Sequence, residues 1–126
     1  MLHVLLVACG GAIGASARHL VGMAALRWLG SGFPAGTFTV NVLGGLLMGL
    51  LAGWLALKAP GGGQNLRLFL ATGVLGGFTT FSSFSLDAVL LWERGAVATA
   101  AGYVLASVIL SIAGLAAGLG FVRWIA

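Results

Sequence analysis

Four apolar stretches fill almost the whole of this chain, at about residues 2–29, 35–57, 66–92 and 96–124. Each exceeds the roughly 20 residues an α-helix needs to cross the hydrocarbon of a bilayer. The segments between them are short and full of helix breakers: "GSGFP", "KAPGGGQN" and "ERG". Only 6% of the 126 residues are charged, against about a quarter in a soluble domain. A water-facing surface cannot be built from so few charges. The expected fold is an all-α integral membrane protein, one four-span domain over residues 1–126, with no strand pattern left over.

The same scarcity limits what the charges can do. The net charge of +4 comes from Arg18, Arg27, Lys58, Arg67, Arg94 and Arg123, which stand singly. Nucleic acid would call for a basic cluster, so it is excluded as a partner, whereas membrane lipid is required. A lone cysteine, Cys9, allows neither an internal disulfide nor a cysteine metal site. The N-terminus imitates a cleaved leader, with "LVAC" and small residues at 15–17. It lacks a basic n-region, however, and its apolar pattern runs on, so it is read as the first span.

Glycines recur four apart in every span: Gly10/Gly14, Gly45/Gly49/Gly53, Gly73/Gly77 and Gly114/Gly118. Small residues at that spacing let helix backbones approach closely in lipid. One such stripe is equally explained by packing within the chain, but four stripes favour an oligomer. The flanking charge sharpens this. With the N-terminus inside, Lys58, Arg67 and Arg123 face the inner side, and Arg27 and Arg94 the outer. Arg18 lies toward the outer end, so the positive-inside bias nearly vanishes. A chain with so little preference can insert both ways and pair as an antiparallel, dual-topology homodimer about an axis in the membrane plane.

The stretch "GGFTTFSSF", residues 76–84, interrupts the apolar third span near its midpoint. Gly76-Gly77 is the expected break point, because adjacent glycines favour helix less than any residue but proline. Carbonyls freed there in two antiparallel chains would face one another and form a cation site, as in the broken helices of transporters. On composition alone, a plain glycine kink with the threonines bonded back to the preceding turn is the favoured reading. Phe81 and Phe84, three apart on one face, offer positive ring edges to a small anion, or simply pack.

Other polar residues lie at depth. Asn41 has Thr37 one turn before it, and Tyr103, Ser107 and Ser111 form an i, i+4, i+8 stripe. These are hydrogen-bond donors, and the two acids, Asp87 and Glu93, sit only in the last turns of the third span. Donors without buried acids point to an anion route, since a proton-coupled carrier needs a buried carboxylate. Arg18 either snorkels to the interface or draws anions toward a vestibule.

Three segments resemble the signature regions of the Fluc (CrcB) fluoride channels: "GGAIGASARH", "GTFTVNVLGG" and "GVLGGFTTFSSFSLD". The resemblance covers essentially the whole chain. Small multidrug exporters share its size, but the acid they need in the first span has no counterpart here. The resemblance implies a non-enzymatic, passive fluoride channel of a prokaryotic inner membrane, an antiparallel homodimer with two pores that lowers cytoplasmic fluoride. It implies a structural Na+ at the dimer centre, held by the backbone carbonyls of Gly76 and Thr79. It assigns Asn41, Phe81, Phe84, Tyr103, Ser107 and Ser111 to the fluoride path, and Arg18, Thr37 and Asp87 to a vestibule or pore end. His19, Ser83 and Asp87 depart from the family's usual aromatic, threonine and glutamate. A proton-coupled small-anion carrier and a non-transporting membrane scaffold are the competing readings.

Overall fold

The computed structural model describes residues 1–126. Helix α1 is Leu2–Leu29 and α2 is Ala35–Lys58. The third span is composite: α3 (Gln64–Arg67), a π-helical segment (Leu68–Leu75), α4 (Gly76–Phe78) and α5 (Phe81–Glu93). Helix α6, Val97–Ile125, completes the chain, and no strand forms. The four spans, Leu2–Leu29, Ala35–Lys58, Gln64–Glu93 and Val97–Ile125, are each long and apolar enough to cross a membrane. Leu5, Ile13 and Leu20 on α1 and Leu105, Ile109 and Ile112 on α6 are exposed, as lipid-facing residues of a multi-pass protein must be.

The ends follow local chemistry. Gly30 closes α1 at φ 76°, a left-handed conformation that costs other residues a clash. Pro34 precedes α2, where its fixed φ favours initiation. Gly95, at φ 82°, turns the chain between α5 and α6.

The glycine stripes are where helices meet. A Cβ on Gly45 would lie 2.5 Å from the Ser111 carbonyl oxygen, one on Gly49 would overlap that of Leu115, and one on Gly118 would lie 2.6 Å from that of Leu46. Helices α2 and α6 are therefore in backbone contact and cannot accept larger residues along this seam without parting. On the other side, a Cβ on Gly10 or Gly14 would overlap the carbonyls of Phe69 or Val74, which seats α1 against the π-helical segment. The small apolar core lies where α5 meets α6, with Phe84, Leu91, Ala100 and Tyr103 buried and Phe38 and Ala88 against them.

Inside the third span, the residues that leave the helix are not the two glycines. Gly76 has helical angles, φ −62° and ψ −37°. Thr79 (φ −83°, ψ 160°) and Thr80 (φ −155°, ψ 113°) are extended. Gly77 serves close approach instead: a Cβ there would come 2.7 Å from the Gly11 carbonyl oxygen. Threonine, β-branched, tolerates extended backbone well, and the Thr80 hydroxyl caps α5 by accepting from the Ser83 N–H at 3.2 Å.

Candidate functional site: a mid-span cavity beside an extended threonine pair

An extended pair within a helix frees backbone groups that must find partners when no water is present. The Thr79 N–H and hydroxyl both donate to the Leu75 carbonyl, at 3.0 and 3.1 Å. The Thr80 N–H, which a continuous helix would direct to Gly76, donates instead to Asn41 Oδ1 at 2.8 Å. Asn41 Nδ2 donates to the Thr80 carbonyl at 3.1 Å. One side-chain amide thus satisfies both polar groups of one peptide residue, as a neighbouring strand would. The Gly77 carbonyl accepts from Arg18 Nε at 3.0 Å. The Ser83 N–H goes to the Thr80 hydroxyl, so the carbonyls of Gly76 and Thr79 both lose the N–H donors that a continuous helix would give them.

Beyond the threonines the aromatic rings form a chain. Phe81 and Phe84 lie 5.6 Å apart between centroids, and Phe84 and Tyr103 5.3 Å. Phe84 is buried, whereas Phe81 is 79% exposed. The Tyr103 hydroxyl donates to Asp87 Oδ2 at 3.1 Å. Asp87 is therefore a paired carboxylate, and Tyr103 uses its hydroxyl there and not toward the rings.

Three cavities connect these groups. A cavity of about 420 Å³ is lined by Asn41, Thr79, Phe81, Phe84, Ser107 and Ser111, and no charged side chain borders it. The Ser107 hydroxyl is buried and has no hydrogen-bond partner. Buried hydroxyls are nearly always bonded, yet this one lies on the cavity wall with no partner within the chain. A second cavity, of about 500 Å³, is lined by Arg18, His19, Thr37, Thr80 and Ser83. A third, of about 450 Å³, includes Thr37, Asp87, Arg94 and Ser31. Thr80 borders the first and second, and Thr37 the second and third. Most of the predicted residues therefore fall into a row; Tyr103 lines none of the three cavities, and Gly76 lies on an exposed face outside them. No cluster of His, Cys, Asp or Glu side chains is arranged to hold a metal.

Two aromatic participants escaped the sequence reading. Phe33 packs edge-on against Tyr103 at 5.5 Å and against Phe38 at 5.9 Å. Pro34 is the N-cap of α2, so Phe33 and Phe38 occupy the two positions of a hydrophobic staple. That spacing was the available signal.

Residues 5–119 match the family described as "CrcB-like protein, Camphor Resistance (CrcB)". The chain belongs to the CrcB family. Relatives of this CrcB chain include a "Fluoride-specific ion channel FluC" from Rhodopseudomonas palustris (strain BisB5), 59% identical over 94% of this chain and 95% of the relative. A protein of the same description from Caulobacter sp. (strain K31) is 56% identical, over 98% of this chain and 96% of its own length. One from Phenylobacterium zucineum (strain HLK1) is 55% identical, over 98% and 97%. The match of a CrcB-family chain to these relatives thus runs nearly end to end, across all four spans.

Proposed function

We propose that this chain is a passive, fluoride-selective ion channel, and that two copies in opposite orientations build it. The observation that carries the reading is the bare Ser107 hydroxyl in an uncharged cavity walled by two phenylalanine rings. The description of the relatives as fluoride-specific channels supplies the ion. Fluoride gives up its water only for comparable donors, and it must then be released. Ser107, Ser111, the second Nδ2 hydrogen of Asn41 and the positive edges of Phe81 and Phe84 are weak, neutral donors of that kind. Asp87 and Thr37 mark one end of the row of cavities, and Arg18 lines the chamber between.

The case for a second copy is energetic. Free carbonyls at the middle of a span cost several kcal/mol each if they face hydrocarbon, by an order-of-magnitude reckoning. Gly76 lies on an exposed face and Phe81 is almost uncovered, so the interruption of the third span asks for a cover. The near absence of a positive-inside bias lets that cover be an inverted copy.

Two free carbonyls per chain, four in a two-fold pair, are a donor set that fits a hard monovalent cation such as Na+. Gly76 and Thr79 would hold it. Such an ion, when bound, would neutralise the facing carbonyl dipoles at the axis.

Passive conduction is separated from proton coupling by flux. Liposomes containing the purified protein, with equal fluoride on both sides and a pH gradient across the membrane, should show no uphill fluoride movement on an ion-selective electrode. With a fluoride gradient and no pH gradient they should release fluoride. Accumulation driven by pH alone and exceeding that of protein-free liposomes, through which hydrogen fluoride itself permeates, would establish a carrier, with Asp87 as the candidate proton site.

A further inference from the structure

At the extended pair the carbonyls of Gly76 and Thr79 lose the N–H groups a continuous helix would bring them, since that of Thr80 goes to Asn41 and that of Ser83 to the Thr80 hydroxyl. The Gly77 carbonyl between them accepts from Arg18 Nε at 3.0 Å. The delivery is built into the packing of α1. Gly11 and Ala15 lie directly against Gly77, where a Cβ would come 2.7 Å from the Gly11 carbonyl oxygen and 3.1 Å from the Ala15 nitrogen. Arg18 is one turn further along the same helix. A guanidinium holds its donors in a rigid plane, and one of them occupies this carbonyl.

We infer that Arg18 is a positioning residue that sets the strength of cation binding at the extended threonine pair; this rests on the cation reading given above. It does so in two ways with the same sign. It withholds the Gly77 carbonyl, limiting each chain to the two oxygens of Gly76 and Thr79. It also places a positive charge on the adjacent peptide group, which opposes a second cation nearby. The site is thereby held to a sparse set of ligands in a chamber that remains attractive to anions. Removing Arg18 lifts both restraints, so a cation binds more tightly.

The test follows the thermal unfolding of the purified protein in detergent. NaCl replaces N-methylglucamine chloride at constant ionic strength, and the Na+ concentration giving half of the stabilisation is read. Arg18→Met keeps an apolar stem but neither charge nor donor, and it should lower that midpoint by about tenfold, the order set by one nearby unit charge in a protein interior. Arg18→Gln removes the charge alone and should shift the midpoint in the same direction, which keeps the test alive if the methionine variant fails to fold. Arg18→Lys should stay close to the wild type. A midpoint unchanged or raised in both neutral variants, with the wild type responding to Na+, overturns the role of Arg18. A wild type whose unfolding ignores Na+ removes the cation reading, and this inference with it.

Discussion

Replacing Asn41 with leucine is expected to bring fluoride efflux down to that of protein-free liposomes. Leucine matches asparagine in size but offers no polar atom. The Thr80 N–H and carbonyl would both lose their only partner, since Asn41 supplies 2.8 and 3.1 Å bonds to them. Each orphaned group costs about 1–3 kcal/mol in a dry interior. The extended pair relaxes most simply by returning the Thr80 N–H to the Gly76 carbonyl, which rewinds the helix. That one move consumes a free carbonyl, rotates Phe81 and Phe84 away from the cavity, and removes the amide donor. A loss of about 3 kcal/mol corresponds to a drop of at least about 100-fold in the competent population. Electrode-recorded efflux checks the result, and wild-type efflux from Asn41→Leu would refute the role given to the amide.

The two phenylalanines should respond alike in flux and differently in stability. Phe84→Ile removes a ring from the cavity wall and breaks its tilted contacts with Phe81 and Tyr103. Because Phe84 is buried in the core of the chain, a cost of about 1–2 kcal/mol in stability should accompany the loss of conduction. Phe81 is 79% exposed in the chain, so Phe81→Ile should spare the fold and still suppress efflux. Thermal unfolding measured beside efflux separates the two. Normal conduction in both variants would show that the anion does not pass between these rings.

The spans were legible because the apolar lengths and the breakers leave almost no freedom. Predicted limits of 35–57 and 66–92 became Ala35–Lys58 and Gln64–Glu93. The glycine stripes were legible as close-packing faces, but their number favoured an oligomer. Gly45, Gly49 and Gly118 are instead spent between α2 and α6, and Gly10, Gly14 and Gly77 between α1 and the third span of the same chain. What misled was intrinsic propensity. It put the interruption of the third span at Gly76–Gly77, but those residues are helical because Gly77 must let α1 approach. The extended residues are Thr79 and Thr80, marked in the sequence only by a threonine able to cap the next helix. The pairing of Asn41 with Thr80, 39 residues apart, left no local trace. The same holds for Arg18 and Gly77, 59 apart, and for the π winding of Leu68–Leu75. These contacts arise from helix packing, which no single segment encodes. Individual polar residues were therefore recognisable as candidates before their partners were.

The central claim is that a neutral, ring-walled cavity conducts fluoride and excludes larger halide. Liposomes loaded with equal potassium fluoride and potassium chloride carry the purified wild-type protein and are given a potassium ionophore, so that K+ leaves with the anion. Recording both anions as they leave puts this to the test directly. Fluoride should leave completely while chloride stays at the protein-free level. Retention of fluoride, or chloride leaving at a comparable rate, would contradict the account.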